Sequence, residues 1–453
     1  MSILTAAWQA LGEDPSALAL VRDQSALVPL ESTLAVGPLV HDAIAAASLS
    51  AGLLVARRAG SAAPLVELDP ARITTAVTSE KHFRLAGEPA DVWAELSGFW
   101  PTSDGWVRTH ANYPHHRDRL LEALGLSSST TADELLRHLH ARTAQEIEDV
   151  VAERGGIAVA VRSKSEWREH PHAAIVAERP LISLTKMGEA PPAERGSTEM
   201  DAPARRVRVL DLSRVIAGPV ATRTLALWGA DVLRVDSPRH PEIPWQHLDS
   251  GTGKRSAIID LDTDFKLFDR LLKTADVVVT GYRPGSLDRY GLSPDALAER
   301  RPGIVVARLS AWGSEGPFAE RRGFDSIVQA ATGISWAESP DSERPGALPA
   351  QALDHSAGYL LAAGITTALR HTIDEGGSWL VETSLARIAQ ELLGSVQPPH
   401  EPFDAWEPTV VTRGEVTTAA SAPHYDGGPT EWMTPAVPWG SSEPQWLPLP
   451  PRK

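Results

Sequence analysis

An aspartate at the start of an alanine-rich segment is the residue best placed to do covalent chemistry. Asp354 comes just before Ser356–His371, where apolar residues recur at helical spacing. As an N-cap, its carboxylate would accept backbone N–H bonds and meet the positive end of the helix. As a nucleophile, it would be kept ionised and oriented by the same N–H groups. The residues alone leave both interpretations open.

Two segments carry groups that could meet an anionic ligand. The turn SRVIAGPVAT (213–222) places small residues after an apolar run, where open α/β sheets bind ligands, although a plain strand-to-helix turn has the same composition. The segment GYRPGSLDRYG (281–291) follows another apolar run and carries Arg283 and Arg289. Arginine binds phosphate bidentately, but surface arginines without a ligand are common.

The segment GTGKRS (251–256) is not a Walker A loop. The glycine required five residues before Gly253 is replaced by Leu248, and Arg255 stands where Ser or Thr is needed. The segment is either an exposed basic turn or a Lys–Arg pair that meets a phosphate from the side.

Neither the histidines nor the cysteine content predicts a metal site. The clustered histidines have no carboxylate at ligand spacing, which favours core or solvated side chains over metal ligands; they are His110, His115, His116, His138 and His140. The chain contains no cysteine, which excludes thiol nucleophiles, disulfides and cysteine-bound zinc.

Composition limits the class of protein and its partners. The 453 residues are 42% hydrophobic and 22% charged, which predicts a globular fold with a sizeable core. The net charge of −15 argues against a nucleic-acid or anionic-membrane partner. The N-terminus lacks a basic flank, and we expect no stretch close to the roughly 20 residues of a membrane span. We therefore expect a soluble, cytoplasmic protein.

Alternation of apolar runs and helix-sized segments predicts the fold that must position these groups. Buried parallel strands form continuous apolar runs because helices cover both faces of their sheet. Such runs are RVRVLDL, ADVLRVD, SAIIDLD, ADVVVTGY and GIVVARLS. The fold class is therefore α/β, with a doubly wound, mostly parallel sheet in a Rossmann-like large domain and a smaller α+β domain.

An internal repeat adds to this organisation. Val40–Arg58 matches Ala352–Arg370, which aligns Asp42 with Asp354 at an offset of 312 residues, and a second match of VELDPARI with VETSLARI follows. The chain is accordingly divided into five parts. They are a partial repeat of the Asp-helix region (1–89), a small α+β domain (90–187), a linker (188–204), a large CoA-binding catalytic domain (205–396) and an extended Pro- and Trp-rich tail (397–453).

Five ordered motifs resemble the class III CoA-transferase family, which includes formyl-CoA and carnitine CoA-transferases and the α-methylacyl-CoA racemases. They are VLDLSRVIAGPVATRTLALWGADVLRVD, GKRSAIIDLD, ADVVVTGYRPGSLDRYGL, LSAWGSEGPFAERRGFDSIVQAATG and RPGALPAQALDHSAGYLLAAGITTAL. The motifs lie in 205–395, and the region 95–180 is similar to the family's small domain. The domain order differs from that of an ordinary member, so we interpret the chain as a tandem fusion with a truncated first copy, or as a permuted member.

The resemblance implies an acyl-CoA:carboxylate CoA-transferase with Asp354 as the nucleophile, and coenzyme A as part of its substrate. It implies CoA contacts at Arg214, Val215, Ile216, Ala217, Lys254, Tyr282, Arg283, Arg289, Ser310, Ala311 and Trp312. The family also forms interlocked dimers, so we expect a homodimer. Asp42 lacks the preceding CoA-binding units and is interpreted as vestigial or structural.

Two alternatives follow from the same resemblance. A racemase would need an acid–base group on each face of the substrate. In the racemases of this family one such group is the histidine of a Gly-His-Asp sequence, and here Phe324 takes its place in Gly323-Phe324-Asp325. This favours a transferase. The rearranged ends also leave room for a non-catalytic CoA-binding paralogue.

Overall fold

The central element of the structure is a seven-stranded sheet of mostly parallel strands. The computed structural model describes residues 2–22, 27–194, 199–395, 397, 403 and 405–449. Numbered in chain order, its strands are β1 (Arg84–Leu85), β2 (Glu88–Pro89), β3 (Gly98–Pro101), β4 (Trp106–Thr109), β5 (Ala158–Ala160), β6 (Ser183–Gly188), β7 (Arg208–Leu212), β8 (Asp231–Asp236), β9 (Arg255–Ile258), β10 (Val277–Thr280), β11 (Val305–Ser310), β12 (Ser378–Ser384), β13 (Val410–Arg413) and β14 (Val416–Ala419). The large sheet has the order β6-β12-β11-β10-β7-β8-β9.

Helices cover both faces of this sheet. In chain order, the helices of the described chain are α1 (Ile3–Ala10), α2 (Val36–Ala59), α3 (Pro70–Val77), α4 (Ser79–His82), α5 (Pro114–Leu124), α6 (Ala132–His140), α7 (Ala144–Glu153), α8 (Lys164–Glu169), α9 (Pro171–Glu178), α10 (Ala217–Leu227), α11 (Pro244–Asp249), α12 (Phe265–Leu272), α13 (Pro294–Arg300), α14 (Asp325–Thr332), α15 (Ile334–Ala337), α16 (Ala352–Asp374) and α17 (Leu385–Gly394). Of these, α10 and α16 pack on one face of the large sheet, and α12 and α13 pack on the other. The predicted doubly wound α/β fold is confirmed, since β7 to β12 pair in parallel and only β6 runs against its neighbour.

The strands form where the sequence is continuously apolar. All four residues of β10 are buried, and β7 and β11 flank β10 in parallel register. Because parallel strands present their carboxyl ends at one edge, the loops after β7, β10 and β11 meet there. The predicted ligand-binding segments lie in these loops.

Two long helices pair in the core. α16 packs against α2, and the Ser50 and Thr366 hydroxyls are hydrogen bonded across the pair at 2.6 Å. α16 also packs against α10, where Gly358 is required: a Cβ there would lie 2.5 Å from the Ala217 carbonyl oxygen. The close approach places the start of α16 against the start of α10.

The paired helices are the two halves of the sequence repeat. Each is followed by an extended segment and then by a helix whose N-terminus is capped at a matching position, by Asp69 in the first copy and Ser384 in the second. A Cβ at Gly364 would lie 2.4 Å from Val381, whereas one at the matching Gly52 would lie 3.0 Å from Pro64. The two segments therefore have the same element order, with closer packing in the second.

The expectation that no stretch approaches the length of a membrane span is wrong for α2. This helix of 24 residues contains an 18-residue window with a mean hydropathy of 1.7, which is long and apolar enough by composition alone. Within that window 94% of the residues are buried inside the protein. The apolar surface of α2 is thus covered by the rest of the chain, including α1 and α16.

A small α+β unit forms from the middle of the N-terminal half. β3, β4 and β5 make an antiparallel sheet against α5, α6 and α7. The sequence from Ala132 to Glu153 forms two helices, α6 and α7, because Thr143 caps a new helix start. The predicted boundary at residue 187 cuts through β6, which pairs with β12 as the edge strand of the large sheet.

The C-terminal segment packs on its own chain. β13 and β14 form a hairpin, and β14 pairs with β1 near the other end of the sequence. Trp432 is buried and its indole N–H donates to the Arg223 carbonyl oxygen at 2.8 Å, while Trp446 donates to that of Leu271 at 3.1 Å. The predicted extended arm is therefore partly a hairpin, and its tryptophans cover the large sheet's helices.

Candidate functional site

A strained loop follows β7 at the carboxyl edge of the large sheet. Val215 has a φ of +68°, which is rare for a β-branched residue. Its N–H donates to Glu242 Oε2 at 3.0 Å, and a Cβ at Gly218 would lie 2.2 Å from that of Ser213. The loop 213–216 is therefore held in an unfavourable conformation by specific contacts, as is common at functional sites.

The carboxylate that holds this loop is buried in a network of charges. Glu242 accepts hydrogen bonds from Arg234 at 2.9 Å and from the Tyr113 hydroxyl, and Arg214 lies 3.5 Å away. Burial opposes ionisation of Glu242, but the two guanidinium groups and the hydrogen bonds outweigh it and lower its pKa to about 2. Glu242 therefore stays charged and fixes the loop at neutral pH.

Asp354 lies in the first turn of α16 and does not cap it. The cap is supplied by Asp325, the first residue of α14, whose Oδ2 accepts the Asp354 backbone N–H at 2.9 Å. Gln329 donates to the other oxygen of Asp325 and fixes its orientation. The interpretation of Asp354 as an N-cap is therefore wrong. Its carboxylate accepts no hydrogen bond within the part of the chain that the structure describes.

The Asp354 carboxyl group is nearly enclosed, with 6% of the residue exposed. Burial, together with the negative charge of Asp325, raises its pKa well above the ordinary value. Burial likewise raises the pKa of Asp325 to about 6, against the hydrogen bonds from Gln329 and the backbone. Two neighbouring carboxyl groups in one enclosed site titrate as a pair, and a more basic carboxylate is a better nucleophile once ionised.

A narrow cleft, which His355 lines from the first turn of α16, is formed by residues from both halves of the chain. Its internal space is about 10 Å³, room for about one water molecule. Val215 and Ile216 line it from the strained loop, His355 from α16 and Glu80 from α4. Burial, with the charges of Asp249 and Asp325, raises the pKa of Glu80 to about 7. The N-terminal segment thus adds a buried carboxyl group to the site.

The comparisons with known proteins agree with this geometry. Residues 205–423 match CoA-transferase family III. This family III region contains β7 to β12, Asp325 and Asp354, whereas Glu80 and the small unit lie outside it. The match therefore covers the strained loop and the unpartnered carboxyl group together.

Several relatives are similar over part of the chain. A probable fatty acyl-CoA transferase, Rv3272 of Mycobacterium tuberculosis, is 33% identical over 197 residues, which are 40% of this chain and 50% of that protein. The succinyl-CoA–L-malate CoA-transferase alpha subunit of Chloroflexus aurantiacus is 30% identical over 46% of this chain and 52% of that protein. A crystal structure of Rv3272 aligns with a TM-score of 0.40 and 33% identity, over 43% of this chain and 58% of that one. The chain spans about half the length of the curated relatives it matches.

The structure brings some of the predicted CoA-contact residues together. Arg214, Val215, Ile216 and Ala217 lie at the strained loop and the start of α10. Tyr282 is half-buried after β10, and burial raises its pKa to about 12 although Arg214 opposes the rise. Ser310 ends β11 at the same edge, and Ala311 and Trp312 follow it.

Two predicted cations are already engaged within the protein. The Lys254 ammonium group donates to Asp211, Pro219 and Thr222 at 3.1, 3.1 and 2.9 Å, which uses all three of its donors. The residue is 2% exposed, so the predicted contact with a phosphate does not fit this geometry. Arg289 is exposed and lies 3.8 Å from Asp262, whereas Arg283 is exposed and bonded only to the Glu320 carbonyl oxygen, at 2.8 Å, among the described residues.

The clustered histidines are divided between two places. His110, His115 and His116 converge beside Phe324, with the His110 ring stacked on Phe324 at 4.0 Å. His138 and His140 lie on α6, away from this cluster. No group of three or more potential metal ligands occurs in the described ranges.

Sequence reasoning missed the cap on α16, the carboxylate that holds the strained loop, and Glu80. Asp325 lies 29 residues before Asp354, and Glu242 lies 27 residues after Val215. The Asp325 position was visible only as the end of a Gly-Phe-Asp sequence. Nothing in the local pattern around Glu80 or Glu242 marks either as a site residue.

Proposed function

We propose that the protein is an acyl-CoA:carboxylate CoA-transferase in which Asp354 is the nucleophile. The observation that carries the proposal is the unpartnered, enclosed Asp354 carboxyl group, whose helix is capped by a different residue. A buried polar group is normally hydrogen bonded, so an unpartnered carboxyl group next to a strained loop indicates a reactive role. The match to family III and the transferase names of its relatives support this function.

The proposed reaction forms and breaks bonds at the Asp354 carboxyl group in sequence. An Asp354 oxygen attacks the thioester carbon of acyl-CoA and the C–S bond breaks. CoA leaves as a thiolate, and the acyl group stays on Asp354 as a mixed anhydride. The thiolate then attacks the Asp354 carbonyl carbon, which releases the donor carboxylate and leaves an aspartyl-CoA thioester. The acceptor carboxylate reverses these steps and leaves as the new acyl-CoA. No net proton or electron is consumed.

The surrounding residues suit these steps. Asp325 holds the start of α16, so Asp354 is oriented without using its own oxygens. Gly358 allows α16 to approach α10, so that the helix turn after Asp354 packs against Ala217 at the end of the loop 213–216. The start of α10 leaves the main-chain N–H groups of Ala217 and Gly218 without intrahelical acceptors, and such groups would support a ligand that carries negative charge.

The racemase alternative has less support. Phe324 replaces the family's histidine, and its ring is covered by His110 and Tyr113. Burial lowers the pKa of His110 to about 3, so this imidazole stays neutral and cannot donate a proton near neutral pH. A two-base exchange needs one protonated partner, which His110 does not provide.

Mass spectrometry after incubation with acyl-CoA tests the proposal. The wild type should carry an acyl or CoA adduct on the Asp354 peptide, trapped by hydroxylamine as a hydroxamate, and Asp354→Asn should not. Binding of CoA without turnover across a panel of acyl-CoA donors would favour a non-catalytic paralogue. Deuterium uptake at the α-carbon of a 2-methylacyl-CoA would favour a racemase.

We also propose that the two matching helices arose by duplication within one chain. The shared element order of α2 with α3 and of α16 with α17 supports this origin. In this proposal α2, which comes from the first copy, packs against α16 of the second. The resemblance to the family also predicts a homodimer, and light scattering on the full chain measures whether this dimer forms.

A further inference from the structure

Two arginines from different parts of the chain converge on one carbonyl group. Arg119 lies on α5 of the small unit, and Arg322 lies between β11 and α14 of the large one. Their Nη1 atoms donate to the Gly155 carbonyl oxygen at 3.3 and 3.2 Å. A Cβ at Gly155 would lie 3.2 and 3.1 Å from the same two nitrogens, so the glycine leaves room for the pair.

Among the described residues, no carboxylate balances the charge of this pair. Within the described ranges, each guanidinium group makes a hydrogen bond only to Gly155, and neither has a carboxylate oxygen within 4.0 Å. Both side chains are half-buried. Each guanidinium has five N–H donors in a fixed fork, so most donors of the pair have no protein partner. Half-buried charges of like sign are costly unless something else offsets them.

The neighbouring Arg283 adds to the positive charge, whereas the nearby imidazoles are neutral at pH 7. Burial, followed by the charges of Arg283 and Arg119, lowers the pKa of Arg322 to about 10. The His115 ring lies 4.8 Å from that of His240, and burial, followed by the charges of His240 and Arg214, lowers the pKa of His115 to about 4. Within the described ranges, the charges of Arg119 and Arg322 thus have no carboxylate partner, although the chain as a whole has a net charge of −15.

The cluster lies near the proposed reaction centre. Arg322 is three residues before Asp325, so the two Cα atoms are at most about 11 Å apart along the chain. Asp325 in turn bonds the backbone of Asp354. An anion held by Arg322 would therefore lie within one substrate's length of the nucleophile.

We propose that Arg119 and Arg322 form a subsite for an oxyanion of the substrates, with Arg283 and His115 beside it. Guanidinium forks match the oxygen spacing of carboxylate and phosphate groups, and two forks enclose such a group from two sides. The oxyanion is either the far carboxylate of a dicarboxylic acyl group or acceptor, or a phosphate of CoA. The subsite rests on the proposed function for the identity of its ligands, and it makes the small unit part of the binding site.

Titration calorimetry tests the subsite with Arg119→Gln and Arg322→Gln, which remove the charge and nearly keep the length. The probes are CoA, 3′-dephospho-CoA, glutarate, butyrate and inorganic phosphate. Each variant should weaken binding of at least one anionic probe by about ten-fold or more, as expected for lost charged hydrogen bonds. The control Arg154→Gln removes an exposed arginine one residue before Gly155, paired with Glu122 at 3.6 Å, and should change no affinity by more than about two-fold.

The pattern of losses distinguishes the source of the oxyanion. Loss for glutarate but not for CoA identifies a carboxylate, and loss for CoA but not for glutarate identifies a phosphate of CoA. The unfolding temperature without ligand gives a second readout, because removing one of two like charges should raise it, by about 1–3 °C. If a Gln variant is misfolded by circular dichroism, Arg119→Lys keeps the charge without the fork and should still lose affinity.

The subsite and the proposed function can fail separately. If Arg119→Gln and Arg322→Gln bind every probe as tightly as wild type does, the subsite is wrong. It is also wrong if wild type binds none of the probes. These measurements do not depend on Asp354 chemistry, and Asp354→Asn protein should bind the same probes as wild type. An Asp354→Asn protein that still transfers CoA would overturn the function and leave the calorimetry of the subsite unaffected.

Discussion

Asp42 and Asp354 occupy matching positions in two matching helices, and both residues are almost fully buried, at 5% and 6% exposed. Asp42 Oδ2 accepts the Leu4 N–H at 2.9 Å and so satisfies a free donor at the start of α1, while His41 lies 3.2 Å from Oδ1. The Asp354 carboxylate has neither kind of partner among the described residues. The same side chain at the same burial is structural in one copy and available for chemistry in the other.

The difference comes from what each helix start meets. α16 begins two residues before Asp354 and is capped by Asp325, whereas α2 begins six residues before Asp42. Asp42 therefore lies in the second turn, where α1 crosses and donates to it. The two matching helices thus differ in the elements packed against their first turns, and the following substitutions test this comparison.

The largest contrast should be in activity. Asp354→Asn should lower the rate of CoA transfer on the order of 10³-fold or more, because the nucleophilic oxygen is lost. Asp42→Asn, the matched control, should keep the rate within about three-fold, since its carboxylate is used in packing. Steady-state assays of both variants measure this. Equal losses in the two variants would contradict the assignment of roles.

The next contrast concerns the glycine that brings α16 against α10. Gly358→Ala would place a methyl group 2.5 Å from the Ala217 carbonyl oxygen, and the forced separation should cost about 1–3 kcal/mol of unfolding free energy. The matching residue in α2 is already Ala46. Because the helix start moves with it, transfer activity should also fall. Urea denaturation with parallel assays measures both, and a variant as stable and active as wild type would contradict the close-approach argument.

For the free energy of unfolding, we expect the larger loss at Asp42 and the smaller at Asp354, which is the reverse of the order expected for activity. Asp42→Ala should lower the unfolding free energy by about 1–2 kcal/mol, because the Leu4 N–H loses its buried acceptor. Asp354→Asn should leave it unchanged or raise it, because an enclosed carboxyl group beside another is removed. Chemical denaturation of the two variants measures this difference. Asp42→Ala as stable as wild type would show that the Leu4 contact contributes little.

The smallest effect should be on pH dependence. The raised pKa values of Asp354 and Asp325 mean that the folded protein holds more protons than the unfolded chain above the ordinary value of 3.8, so stability falls as pH rises through this window. Asp325→Asn removes the neighbouring charge and should shift the pH midpoint of transfer downward by about one unit. Rate–pH profiles measure this shift, and an unchanged midpoint would show that the two carboxyl groups are uncoupled.

The sequence predicts the parts of this molecule that depend on local pattern. Runs such as Val277–Thr280 are apolar throughout because their strands are buried on both faces, and the repeat identifies both aspartate helices. Lys254 shows the limit: its neighbours suggest a free basic turn, but its partner Asp211 lies 43 residues away. The cap by Asp325 and the carboxyl group of Glu80 likewise depend on pairings that only the folded chain makes. The expected boundary at residue 187 falls inside β6, because nothing in the sequence of an edge strand shows which sheet it joins.

The pairing of α2 with α16 also has a consequence for the order in which the chain can fold. α2 is made early, and its partner begins about 300 residues later. At the usual rates of synthesis the apolar face of α2 waits roughly 15 to 60 s for its cover. The pairing of β1 with β14 imposes a similar wait on the segment that carries Glu80. We expect nascent chains stalled before residue 352 to be held by chaperones and longer ones to be released, which ribosome-bound crosslinking measures. Release that does not depend on the emergence of α16 would show that α2 finds another cover first.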